Sequence, residues 1–157
     1  MKVREPHMEG VTADYFSCEM WNKLLCAPTI KEYLDEIRNK NMPAFSEYID
    51  QLCVAQKEKH EDILKRSAIE PSYGHKLFAG SRNPSRDTAL QFAFGLQLGL
   101  KETQQLLIVA RKAPLHPWVG RDAVIAYCLH HGCNLTETQI QLQKNDLPIL
   151  GGIRHDR

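Results

Sequence analysis

No stretch of this chain approaches the roughly 18 consecutive apolar residues that a membrane-spanning helix needs. No apolar segment that could serve as a signal peptide follows Met1-Lys2-Val3-Arg4-Glu5-Pro6-His7. Strand signals are nearly missing: there are no alternating Val/Ile/Thr runs and no Asn-Gly or Asp-Gly hairpin turn, which argues against a sheet. Glycine and proline are not in excess. The five cysteines (Cys18, Cys26, Cys53, Cys128, Cys133) are odd in number and scattered, so they are not a disulfide framework, and a reducing, cytoplasmic protein is expected. Catalytic signatures are also missing. Gly80-Ser81-Arg82 lacks the repeated glycines and the downstream Lys-Ser/Thr of a phosphate-cradling loop, and no Ser, Cys or Thr sits in a nucleophile turn. Asp35/Glu36 and Glu61/Asp62 fall on adjacent, outward helical positions, the mark of a solvated face. Cys128-Leu129-His130-His131-Gly132-Cys133 has the wrong spacing for a zinc knuckle and no second cluster to complete four ligands. It reads instead as a buried Cys on an amphipathic helix, with His near the C-terminus where it complements the dipole. Neither an enzyme nor a metal or other cofactor is expected.

What is present is helix. The 157 residues, 43% apolar and 25% charged, suffice for one domain with a core. Tyr15–Cys26 and Ile30–Arg38 read as helices parted by Ala27-Pro28-Thr29, with Thr29 as a cap. Phe45, Ile49, Leu52 and Cys53 recur on one helical face. Arg86–Leu98 is apolar nearly all round, as a central buried helix would be. Lys101–Arg111, Arg121–His131 and Thr136–Asn145, the last capped by Thr136, complete an all-α pattern. No internal repeat stands out. Three sections follow: an N-terminal helical pair (residues 1–41), a five-helix middle (42–112) and a C-terminal helical pair (113–150), with a frayed tail (151–157). Charge is uneven. Residues 1–56 carry six basic against nine acidic side chains, 57–86 seven against four, and 87–157 seven against six.

The basic excess coincides with Ile63–Arg86, where two short helical patterns near 60–67 and 71–79 are joined by a tight turn. A Gly80-Ser81-Arg82-Asn83-Pro84-Ser85 loop follows, and then a Ser-capped third helix. That is the layout of a helix-turn-helix, whose second helix is presented to a DNA groove. Helical spacing turns Gly74, Leu77 and Phe78 inward. It leaves Ser72, His75, Lys76 and Ala79 outward, with Tyr73 at the border. Lys76 can donate to guanine O6 or N7, and Ser72 and His75 can meet base edges. Tyr73, His60, Arg82, Asn83 and Arg86 are placed for the phosphate backbone. The competing reading makes Lys76, Arg82 and Arg86 ordinary solvated charges.

Residues 42–112 resemble the Cro and phage-repressor, or XRE, family. Leu77-Phe78-Ala79-Gly80 looks like the end of a repressor recognition helix, and Gly80-Ser81-Arg82-Asn83-Pro84-Ser85 like the family's next loop. Leu98-Gly99-Leu100-Lys101-Glu102-Thr103 is similar to its usual close. The order of sections also resembles a bacterial group in which an Arg-Asp-Ala-type helix, here Arg121-Asp122-Ala123, follows the domain. The resemblance implies a lambda-repressor-like five-helix fold, commonly dimeric on a palindromic operator. The chain departs from the family at His60, where a phosphate-clamping Gln is usual, and at Pro71, where a long polar residue often opens the recognition helix. Glu70 carries the wrong sign for phosphate. Leu64 and Gly74 replace a small residue and a branched aliphatic, a paired swap that conserves volume if Leu64 lies over Gly74. The expected function is a sequence-specific regulator of transcription on double-stranded DNA. The alternative is a protein-interaction module of the same fold, antitoxin-like or a signalling adaptor. The apolar outer pairs, with Trp21, Leu24 and Leu25 at one end and Trp118 and Ile125 at the other, either thicken the core or build a homodimer.

Overall fold

The computed structural model describes residues 18–38 and 42–152. Every regular element among them is an α-helix, nine in all, with no strand, as the sequence pattern requires. No helix among the described residues is long and apolar enough to cross a membrane. The chain divides into two compact units, parted between Pro43 and Ala44.

The smaller unit holds α1 (Cys18–Cys26) and α2 (Ile30–Arg38). Thr29 caps α2 as expected, its hydroxyl oxygen accepting from the Glu32 amide at 3.2 Å. Trp21, Leu25 and Ile30 are exposed, and α2 buries no residue. Tyr15 and Phe16, expected in the first helix, lie outside the described residues.

The larger unit runs from α3 (Phe45–Gln56) through α4 (His60–Arg66), α5 (Pro71–Phe78), α6 (Arg86–Gly95), α7 (Leu100–Val109), α8 (Gly120–His130) and α9 (Leu135–Lys144). Phe45, Ile49, Leu52 and Cys53 form the buried face of α3. Thr88 to Gly95 are buried without a break, so α6 is the central helix. It stops three residues before the expected Leu98, because Gln97 takes a left-handed φ of +56° and the Leu98 amide turns back to the Ala93 carbonyl at 2.9 Å, which closes a Schellman motif. The start of α9 is also corrected. Asn134, not Thr136, is the cap: its side chain accepts from the Glu137 amide at 2.8 Å while Glu137 accepts from the Asn134 amide at 3.1 Å, a reciprocal capping box.

A repeat that the linear pattern does not reveal emerges from the contacts. Leu100-Lys101-Glu102-Thr103-Gln104 on α7 matches Leu135-Thr136-Glu137-Thr138-Gln139 on α9, and Arg86-Asp87 on α6 matches Arg121-Asp122 on α8, each 35 residues apart. The hydrogen bonds repeat with the same offset. Gln104 makes a two-bond clasp with the backbone of Leu115 (2.8 and 2.7 Å), and Gln139 makes the same clasp with Leu150 (2.7 and 2.8 Å). Arg86 donates to the carbonyls of Ala113 and Pro114 (2.9 and 3.1 Å), and Arg121 to those of Pro148 and Ile149 (2.9 and 2.8 Å). Across the two hairpins, Arg86 pairs with Asp122 and Arg121 with Asp87. The amide of His116 reaches Asp122 at 3.0 Å and that of Gly151 reaches Asp87 at 3.1 Å. Contacts in which i meets j′ while j meets i′ are those of a two-fold pair. Residues 85–117 and 120–152 are therefore two copies of one helical hairpin, and the C-terminal pair belongs to the same compact unit as the middle helices.

Candidate nucleic-acid interface

α5 owes its start to Glu70 and Pro71. Proline at the first helical position fits the fixed φ it brings, and Glu70 caps the helix. Its carboxylate accepts from the Ser72 amide (3.1 Å), the Tyr73 amide (2.9 Å) and the Ser72 hydroxyl (2.7 Å). The Ser72 hydroxyl, with the Tyr73 and Ser72 amides, holds the Glu70 carboxyl below the ordinary carboxylate range. Glu70 thus occupies the anion seat that a helix N-terminus offers, a role that its sign alone does not disclose.

Packing fixes which face of α5 looks out. Leu77 and Gly74 are buried, and Leu64 lies directly over Gly74: a Cβ built there would sit 2.6 Å from Leu64 Cδ1 and 2.9 Å from Cγ. Ser72, His75, Lys76 and Ala79 are exposed and Tyr73 is half-buried, which is the outward set expected. Arg82 and Asn83 are also exposed. Beside α5, a cleft of about 390 Å³ is lined by Leu64, Ala68, Ile69 and Pro71, with Glu61, Lys65 and His75 around them.

His60 is held by two contacts. Its ring stacks on Phe78 (centroids 3.7 Å apart, planes at 6°), and Nε2 lies 2.9 Å from Asp50 Oδ1. One ring nitrogen is thereby engaged within the fold. The Arg86 guanidinium, expected at the phosphate backbone, is taken up within the fold by Asp122 (2.8 and 2.9 Å) and by the Ala113 and Pro114 carbonyls. Burial pushes the Asp122 carboxyl up, but Arg86 and the His116 amide outweigh it and hold it low. Arg66 is likewise committed, with Nε on the Gly95 carbonyl at 2.9 Å and Nη2 at 3.1 Å from Glu58. The exposed cations left on this segment are Lys57, Lys59, Lys65, Lys76 and Arg82, against the exposed acids Glu61, Asp62 and Glu70 of the same segment.

The turn before α5 is not what distinguishes it. Ala68 (φ +52°), Gln97 (+56°) and Gly132 (+73°) mark the same left-handed step after α4, α6 and α8. Ile69, Leu98 and Cys133 then donate back to Leu64, Ala93 and Cys128, before the caps Glu70, Gly99 and Asn134. Among the three following helices, α5 alone carries an imidazole and an ammonium group, His75 and Lys76, at adjacent exposed positions. Among the described residues no group of three or more His, Cys, Asp or Glu is placed to hold a metal ion. Comparison with protein-family models, with curated proteins and with solved structures finds no match.

Proposed function

We propose that this chain is a sequence-specific regulator of transcription on double-stranded DNA, acting in the cytoplasm. In this reading α3–α7 form a lambda-repressor-like domain and α5 enters the major groove. The observation that carries it is the outward set Ser72, His75 and Lys76 on a helix whose other face is locked into the core by Gly74 and Leu77. A groove-reading helix needs polar donors on a rigid support. Arg82 and Asn83 serve the backbone, as positioning contacts do.

The test is binding to a duplex selected from a random library, against random duplex, over a range of salt. Lys76→Ala lowers affinity for the selected site more than for random DNA. Arg82→Ala weakens both alike and reduces the salt slope by about 1. Equal loss on every sequence for Lys76→Ala would contradict its assigned contact.

One observation favours a second reading, a protein-interaction module of the same fold. Glu70 seats its own carboxylate at the N-terminus of α5, where a phosphate would otherwise be welcome. Asparagine also caps helices well, so Glu70→Asn keeps the helix start and removes the charge. On the DNA reading this substitution raises affinity for random duplex at low salt. A wild-type chain and a Glu70→Asn chain that both fail to bind duplex at 50 mM salt would favour the interaction module.

A further inference from the structure

Among the described residues, only one of the two equivalent faces of the paired hairpins is buried. On α6 the stripe Pro84, Thr88, Gln91, Phe92 and Gly95 is buried. Phe45 and Phe78 meet the Phe92 ring edge-on at 5.8 and 5.6 Å. Arg66 Nε and Gln56 Nε2 donate to the Gly95 and Leu96 carbonyls at 2.9 and 2.8 Å. Thirty-five residues on, the same stripe of α8 is Val119, Ala123, Ala126, Tyr127 and His130, and none of it is buried. Tyr127, at the place of fully buried Phe92, is 63% exposed, and Trp118 beside the stripe is 92% exposed.

We infer that this α8 face is a self-association surface, occupied by the α8 of a second copy running antiparallel to it. The covered face shows what such a stripe accepts: an aromatic ring on the ring at its centre, and an N–H donor on the carbonyls at the end of the helix. A second copy brings both in Trp118, which has a ring and an indole N–H. Trp118 precedes the first turn of α8, and the His130 and His131 carbonyls lie at the end of that 11-residue helix, about 16 Å away along the axis. Antiparallel pairing therefore sets each Trp118 against the Tyr127 ring and the terminal carbonyls of the other copy, twice over, as an isologous contact requires. The charges agree. The stripe carries no Lys, Arg, Asp or Glu, and Arg121 and Asp122 are already paired with Asp87 and Arg86. The positive end of each helix faces the negative end of its partner. The half-exposed Ala123 and Ala126 allow close approach. This rests on the DNA reading only for its use, since two copies supply the two recognition helices that a palindromic site needs. The pairing itself is measured without DNA.

The experiment is sedimentation equilibrium of the full chain from 1 to about 200 µM, with Trp118→Ala and Tyr127→Lys as variants. Both positions are exposed, so the fold tolerates the changes, and circular dichroism checks this. A small interface of this kind gives dissociation in the micromolar range, and each variant weakens the dimer at least tenfold. In a Trp21→Phe background Trp118 is the only tryptophan, and its emission shifts to the blue as concentration rises through the dimer transition. A monomer at every concentration, or a dimer indifferent to both variants, would overturn the inference. So would a Trp118 emission already blue-shifted in the monomer, which would mean the face is covered within one chain. A dimer of the expected kind that ignores duplex DNA would leave the pairing intact and defeat the DNA reading instead.

Discussion

One methyl group separates Gly74 from a collision with Leu64. In the other two helix–turn–helix steps the corresponding positions are Ala93 with Thr103 and Cys128 with Thr138, all buried. Each pairing sets a different split of volume across the same helix contact, and Leu64/Gly74 is the extreme case. Gly74→Ala overpacks this contact and costs about 1–3 kcal/mol, and Leu64→Ala opens a cavity costing about 2–5 kcal/mol. The double substitution refills one with the other, so its loss in urea unfolding falls short of the sum. Strictly additive losses would show that the two side chains do not share one space.

At the scale of elements, Arg86 and Asp122 tie α6 to α8. The Asp122 side chain is 7% exposed and that of Arg86 24%, so removing one partner strands a largely buried charge. Arg86→Ala lowers unfolding stability by about 3 kcal/mol, toward the lower end of such losses because Arg86 keeps some water. On the DNA reading it leaves affinity for duplex at low temperature unchanged, the opposite of what a phosphate contact gives. The pH dependence follows from the sign of the shift. The Asp122 carboxyl is held below its ordinary value in the folded chain, so its contribution is full at neutral pH. It is lost as pH falls below the ordinary aspartate range and through the folded value. Urea midpoints of the wild type and Asp122→Asn should differ at pH 7 and converge in acid. A gap that stays constant down to pH 2 would mean that ionisation of Asp122 is irrelevant.

For the molecule as a whole, the paired hairpins make the C-terminal helices part of the core unit. Removing residues 120–152 takes away Asp122 from Arg86 and Arg121 from Asp87 and opens the apolar side of α7. The shortened chain should lose its cooperative thermal transition or melt well below the full one by circular dichroism. An unchanged melting curve would show that α8 and α9 are appended rather than structural.

Periodicity and capping chemistry in the sequence determined the helical content, the rough limits of most of the described helices and the outward set on α5. Those features depend on neighbours three or four residues away, where a one-dimensional reading is sound. The Leu64/Gly74 contact was also legible, through the family resemblance, which implies facing positions where this chain has one residue larger and one smaller than usual. Partners distant along the chain were decided by tertiary structure alone. Arg86 looks like a free cation until the fold brings up Asp122, 36 residues away, and Glu70 looks like a misplaced charge until the first turn of α5 folds around its carboxylate. The repeat is faint in the sequence because little beyond Arg-Asp, Leu-x-Glu-Thr-Gln and two isolated leucines (Leu107/Leu142 and Leu115/Leu150) is shared by both copies. A two-fold arrangement is held by a few reciprocal bonds at helix ends, and those bonds exist only once both hairpins are packed together.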